Sequence, residues 1–176
     1  MNDDLILVDN DDNIVGYADK LRVHQEGLLH RAFSLFIMNQ NNELMLQKRA
    51  ANKYHSAGLW ANTCCSHPLK GEVQKQAIHN RIMFEMGFDC ELSELFRFTY
   101  YAELDQGMIE YELDRVYYGN YEGKPTPNPD EVSDWRWMNI EALKKDLENN
   151  PERYVYWLKE EFDEFYEKIK VPENNK

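Results

Sequence analysis

The 176-residue sequence has the size of one domain, and its 20 basic against 32 acidic residues, a net charge of −12, argue against nucleic acid as a partner. The acidity is uneven, with 7 Lys/Arg against 8 Asp/Glu in residues 1–70 but 13 against 24 in residues 71–176. Three cysteines, at positions 64, 65 and 90, form neither an even set nor a Cys-x-x-Cys pair, which speaks against a disulfide framework or structural zinc and for reduced thiols in a cytoplasm.

In chain order, Leu5 to Val8 and Ile14 to Tyr17 flank the turn cluster Asp9 to Asn13 and read as a hairpin; the apolar run is too short for a signal peptide or membrane span. His24 and His30 lie on a short segment before the next strand. Ala32 to Met38 and Leu44 to Leu46, joined by the polar turn Asn39 to Asn42, read as a second hairpin. Trp60 to His67 reads as a strand end. Glu72 to Met86 lacks Gly and Pro and repeats Ala77-Ile78, Ile82 and Met86 at helical spacing, with Gly87 as its stop. Leu95 to Ala102, Ile109 to Tyr118 and Val132 to Met138 read as strands, and Ile140 to Leu147 and Arg153 to Ile169 as helices. This order gives a mixed-sheet α/β sandwich rather than a parallel βαβ series: one domain over residues 1–171, with 172–176 as a frayed tail.

The run Asn62-Thr63-Cys64-Cys65-Ser66-His67-Pro68 carries the most chemistry. In a strand, Cys65 and His67 share one face about 6 to 7 Å apart and Cys64 points to the other; the alternative is a buried strand whose cysteines act as small hydrophobes. In Ile109-Glu110-Tyr111-Glu112-Leu113 both carboxylates share a face, where their repulsion calls for a cation or a shared proton unless the face is simply solvated. His24, His30, His67, Glu110 and Glu112 together offer a mixed N and O donor set suited to manganese, magnesium or zinc. Lys20, Arg22, Lys48, Arg49, Lys53 and Arg81 lie around these segments and suit the oxygens of a diphosphate, although separated basic residues are also ordinary surface. Arg81 and Glu85 are one helical turn apart, which as a bland reading is a surface ion pair.

These residues resemble the type 1 isopentenyl-diphosphate delta-isomerase family of the Nudix superfold. Asn-Thr-Cys-Cys-Ser-His-Pro from Asn62 is similar to its cysteine motif, and Tyr100-Tyr101-Ala102 followed by Glu110-Tyr111-Glu112 to its tyrosine and glutamate segment. The resemblance implies a Nudix-like α/β/α sandwich with extra C-terminal helices, catalysis by Cys65, Glu112 and Tyr100, and metal ligation by His24, His30, His67, Glu110 and Glu112. It further implies Glu85 beside a magnesium on the diphosphate, and substrate contacts from Lys20, Arg49, Lys53, Arg81 and Trp157. The implied reaction is metal-dependent interconversion of isopentenyl and dimethylallyl diphosphate through a carbocation, in isoprenoid biosynthesis. Its partners would be that diphosphate and magnesium, with a second ion at the His/Glu set, in a cytoplasmic monomer or weak homodimer without membrane insertion.

Two further readings compete. A Nudix hydrolase of a nucleoside or other diphosphate would need the box Gly-x5-Glu-x7-Arg-Glu-x2-Glu-Glu-x-Gly. Aligned on Gly87, the chain keeps Glu72 and Glu85 but has Ser66, Asn80, Arg81 and Phe84 at other positions, losing carboxylates that would hold hydrolytic metals. A non-catalytic binding domain rests only on the acidic second half and the aromatic terminal helix.

Overall fold

The computed structural model describes residues 4–170; the tail expected at 172–176 lies outside them. β1 (Asp4–Val8) and β2 (Ile14–Asp19) form the expected hairpin, with Asp9 Oδ1 accepting from the backbone N–H of Asp11 and Asn13 at 2.9 Å. The next segment, a short stretch before the strand on the sequence pattern alone, is a helix, α1 (Lys20–Glu26). Seven residues are too few to display a helical period. Its signals lie instead at the ends: the Asp19 side chain accepts from Leu21 and Arg22 N–H, and Gly27 closes the helix at φ 63°. A Cβ on Gly27 would stand 3.0 Å from Ile109 Cγ2, so this glycine also lets α1 press against the strand that begins there.

β3 (His30–Met38) and β4 (Glu43–Arg49) depart from the expected regular hairpin. Only Met38 and Leu44 are direct partners, and beyond that pair the strands separate. One edge of β3 pairs in parallel with β8 (Ile109–Asn120) along all nine residues. Its other edge is shared by β1 at His30, β6 (Cys64–Ser66) at Phe33 to Leu35, and β4 at Met38. β5 (Trp60–Ala61) pairs with β4, so residues 60–66 cross from one separated strand to the other.

Polar side chains make this separation affordable. Thr63 Oγ1 accepts from Ile37 N–H at 3.0 Å on β3 and donates to Met45 O at 2.7 Å on β4. Asn62 Nδ2 donates to Leu35 O and Cys64 O, and Gln47 Nε2 to Thr63 O. Buried backbone groups freed by the separation are thus satisfied, where each would otherwise cost roughly 1–3 kcal/mol.

β7 (Leu92–Glu103) pairs with β8, and β9 (Val132–Asn139) with β4. α2 (Gln74–Met86), two residues shorter at its start than expected, covers one face, packing Ile78, Ile82 and Met86 on Phe33, Leu35, Ile37 and Tyr117. α3 (Ile140–Asn149) and α4 (Tyr156–Lys170) cover the other, packing Leu143, Trp157, Phe162 and Phe165 against Phe36, Tyr100 and Val116. The last helix starts at Tyr156 rather than Arg153 because Arg153 closes a separate 3-10 turn (Pro151–Arg153) and Tyr154 is extended at φ −120°; Val155 N–H then donates to Trp60 O, which ties this segment to β5. The architecture is the expected mixed-sheet α/β/α sandwich. Among the described residues no helix is long and apolar enough to cross a membrane.

One surface cluster sets a test of stability. Asp12, in the left-handed region at φ 66°, places its nearly buried carboxylate against Arg31 and Arg115, with Arg97 3.8 Å away. Arg97 and Arg115 are direct cross-strand partners, an arrangement that like charges disfavour. Burial acts to raise the Asp12 pKa, but the Arg31 and Arg115 guanidiniums hold it below the ordinary value. Its contribution is therefore present above the unfolded-state pKa and disappears as pH falls through the folded-state value. Asp12→Asn, which tolerates the same backbone, should lower urea-unfolding stability by about 1–3 kcal/mol at pH 7, with the difference from the parent closing below pH 4.

Candidate active site

Register assembles the site. Side chains alternate across a strand, so His30, Ala32 and Ser34 of β3 face the α4 side together with Glu110, Glu112 and Asp114 of β8. Glu112 lies opposite His30, and Cys65 opposite Ser34 on the other edge. His67 follows Cys65 by two residues and lines the same cavity, whereas Cys64 is fully buried in the core beneath α2. The face assignment for the three residues is as the sequence predicts. Trp157 and Tyr100 also line this cavity, and Lys20, Arg49, Lys53, Arg81 and Glu85 complete its polar side.

His24, His30, His67, Glu110 and Glu112 each offer a ligand atom, all within 4.8 Å of one another. Hydrogen counting shows what belongs between them. His24 Nδ1 lies 2.7 Å from Lys20 O and His30 Nδ1 2.8 Å from Leu28 O. A carbonyl only accepts, so each Nδ1 carries a hydrogen, and in the neutral ring Nε2 is a bare lone pair. Those lone pairs face Glu110 Oε2 and Glu112 Oε1, each at 3.5 Å. His24 Nε2, His30 Nε2 and Glu110 Oε2 have no hydrogen-bond partner although buried. Buried lone pairs facing lone pairs suit a cation, and three imidazoles with two carboxylates suit a divalent one.

The carboxylates differ. Burial and the neighbouring Glu112 push Glu110 up to about 7, whereas Glu112, despite its burial, is held well below the usual range, its charged form favoured by the His67 imidazole 2.7 Å away. Glu112 Oε1 lies 2.7 Å from His67 Nε2, and Oε2 accepts from the Tyr100 hydroxyl at 2.8 Å. Burial, together with Glu112, keeps Tyr100 well above its ordinary pKa. Burial also lifts the Cys65 thiol well above its ordinary pKa, with Arg49 opposing and Glu85, Glu112 and Asp114 reinforcing. Cys65 is therefore a thiol where Glu112 is a carboxylate.

The cations are tied down. Arg81 Nε donates to Glu85 Oε1 at 2.6 Å, and Glu85 Oε2 accepts from Gln47 at 2.8 Å. Glu85 is buried, so this is no surface pair. Lys53 and Arg81 Nη2 both donate to Glu131, which the sequence reading did not single out. Trp157 Nε1 donates to Asn62 Oδ1 at 3.1 Å, and the Arg49 guanidinium stands 5.2 Å from its ring centroid. Lys20, the first residue of α1, has its pKa lowered by burial and by Arg81. Of the hydrolase box, α2 retains Glu85 as its only acid, with Asn80 and Phe84 exposed.

Two further groups emerge only in three dimensions. Ser34 Oγ is 2.7 Å from Asp114 Oδ2 and 3.0 Å from Glu161 Oε1, joining two buried carboxyls for which the described residues provide no ion pair. Burial pushes both pKa values well up, so the pair retains a proton. His55 is buried against Glu110 and Trp157, and burial, with Arg49 and His24 nearby, pushes its pKa down to about 3, leaving a neutral ring. No spacing rule ties His55 to the other histidines.

A family model for the NUDIX domain matches residues 28–158. "Isopentenyl-diphosphate Delta-isomerase 2" of Aromatoleum aromaticum is 50% identical over 158 residues, covering 90% of this chain and 84% of that protein. "Isopentenyl-diphosphate Delta-isomerase" of Serratia proteamaculans is 48% identical, covering 90% and 88%. Among solved structures, DR0079 from Deinococcus radiodurans superposes with a TM-score of 0.78 at 19% identity, covering 93% of this chain and 99% of that one. The MutT protein from Methanosarcina mazei Go1 does so with 0.65 at 17%, covering 81% and 96%. These two share the fold.

Zn2+ added to metal-free protein should raise its melting temperature, by about 2.7 kcal/mol of stabilisation at a free concentration one hundred times Kd, and His24→Ala or His30→Ala should largely remove the effect. Because burial and Glu112 favour the protonated form of Glu110, and an ion must displace that proton, the affinity should fall on acidification, as a pH series of chelator competitions would show.

Proposed function

The chain belongs to the isopentenyl-diphosphate Delta-isomerases, built on a NUDIX domain, and from that premise we propose how its residues move the double bond between isopentenyl and dimethylallyl diphosphate. The observation that carries the proposal is the convergence, in one cavity, of the Cys65 thiol and the Glu112 carboxylate, the latter held by the Tyr100 hydroxyl.

The reaction adds one proton to the terminal alkene carbon, leaving a tertiary carbocation, and removes one from the carbon on its other side. It therefore needs one group that gives and one that takes, with the roles exchanged in reverse. Cys65 and Glu112 contain one transferable proton between them, the inventory such a pair needs. Tyr100 fixes the Glu112 carboxylate and supplies a hydroxyl beside it. Positioned acid and base catalysis of this kind is worth typically 10²- to 10⁴-fold. Trp157 would offer its π face to the cation, worth about 2 kcal/mol or more in a dry site. Its Nε1–H, held by Asn62, fixes that orientation.

Lys20, Arg49, Lys53 and Arg81 would bind the diphosphate, and Lys53 and Arg81 would exchange their contacts with Glu131 for phosphate oxygens. A divalent ion at His24, His30, His67, Glu110 and Glu112, manganese, magnesium or zinc, would keep both carboxylates ionised, and magnesium on the diphosphate beside Glu85 would offset its charge. Local cations thus outweigh a net charge of −12. Hydrolysis has less support, since α2 brings a single carboxylate to the site.

Incubation with isopentenyl diphosphate and magnesium in deuterated water should yield dimethylallyl diphosphate carrying deuterium, read by NMR; metal-loaded, folded protein that gives neither would overturn the assignment. Cys65→Ala should reduce kcat by at least 10³-fold and Cys64→Ala by less than about tenfold, because only the former faces the cavity. Tyr100→Phe should lower kcat by about 10- to 100-fold with KM little changed, since the hydroxyl acts through Glu112.

A further inference from the structure

We infer that His55 is a positioning residue for the metal centre, donating Nε2–H to Glu110 Oε1 and so committing the other oxygen of that carboxylate to the ion. The inference rests on the metal reading of the five-residue cluster but concerns a residue outside it. His55 Nε2 lies 3.1 Å from Glu110 Oε1, with 4% of its side chain exposed. Its Nδ1 is 3.3 Å from Ser56 Oγ. A neutral ring carries one hydrogen. The arrangement that satisfies both nitrogens has Ser56 Oγ–H donating to Nδ1 and Nε2–H donating to the carboxylate.

This pattern separates His55 from the ligands. His24 and His30 spend Nδ1–H on backbone carbonyls and leave Nε2 bare and unpartnered, whereas His55 Nε2 stands 3.1 Å from Glu110 Oε1, within ion-pair distance. Glu110 shows the complement: Oε1 is 3.1 Å from His55 Nε2, and Oε2 is unpartnered and 3.5 Å from His24 Nε2. A carboxylate pinned through one oxygen presents the other at a fixed angle, which is how outer hydrogen bonds orient metal ligands.

The support continues outward. Ser56, held at φ 49°, donates its backbone N–H to Asp105 Oδ1 at 3.0 Å, and Arg49 Nη2 donates to His55 O at 3.2 Å. The loop between β4 and β5 is thereby anchored at the turn between β7 and β8, and the same loop supplies Lys53 to the diphosphate side. The His55 ring also stands edge-on to Trp157 at 6.1 Å, so one residue spans metal cluster and alkene wall.

The test is the Zn2+ dissociation constant of the full-length chain, measured by chelator competition with Zn2+ as the only added ligand. His55→Phe, which keeps a ring but no donor, should weaken binding by about 10- to 100-fold while the melting temperature of the metal-free protein stays within a few degrees. His55→Gln, whose amide retains a donor, should recover part of the loss, and Ser56→Ala should show a smaller loss of the same sign. Parental Zn2+ affinity in a folded His55→Phe overturns the inference, as does a loss as complete as that of His24→Ala, which would make His55 a ligand. Should His55→Phe fail to fold, Ser56→Ala and His55→Gln decide: parental Zn2+ affinity in the first, or a loss in the second as complete as that of His24→Ala, overturns the inference. Absence of Zn2+ binding in the parent would instead refute the metal reading itself.

Discussion

Two strands held apart by the hydroxyl of Thr63 are the condition on which the rest of the site depends. If β3 and β4 continued as a ladder beyond Met38 and Leu44, the sheet would separate its two faces completely, and α2 could not share a chamber with β8. Through the separation, Arg81 and Glu85 from one face meet Cys65 and Glu112 from the other. The bonds made by Asn62, Thr63 and Gln47 repair the backbone that the opening exposes. In the motif Asn62 to Pro68, then, the first two residues hold the aperture, Cys64 packs beneath α2, and Cys65, Ser66 and His67 line the cavity.

That aperture concentrates charge where charge is costly. Glu110, Glu112, Asp114 and Glu161 are all buried on the α4 side of the sheet, and a lone buried carboxylate costs several kcal/mol unless paired or protonated. The chain uses different remedies for each. Glu112 is held by the His67 imidazole and the Tyr100 phenol, Asp114 and Glu161 retain a proton through Ser34, and Glu110 faces His24 with an unsatisfied oxygen. The unfavourable term is thus localised at the place where a cation would relieve it, so folding strain and ligand affinity are two sides of one balance.

Much of this was legible in the sequence, for identifiable reasons. Strand alternation placed Cys65 opposite in sense to Cys64, and Glu110 with Glu112, because a period of two survives in any sheet. The long strands and α2 carried enough residues to show their period. α1 did not, at seven residues, and its evidence lay in Asp19 and Gly27. The hairpin at Asn39 to Asn42 was right at its turn and wrong beyond it, since turn chemistry fixes only the first pair. His55, Glu131 and the Ser34–Asp114–Glu161 group were invisible because each acquires meaning from a partner far along the chain, such as Glu161, which is 127 residues from Ser34.

The linear order of these parts bears on how the protein is made. All five residues of the His/Glu set lie between His24 and Glu112, and β3 and β8, which align them, are complete by Asn120. Trp157 and Glu161 belong to the last described helix. A chain emerging from the ribosome in this order presents the five donors and the two strands that align them ahead of the helix that packs over their face of the sheet.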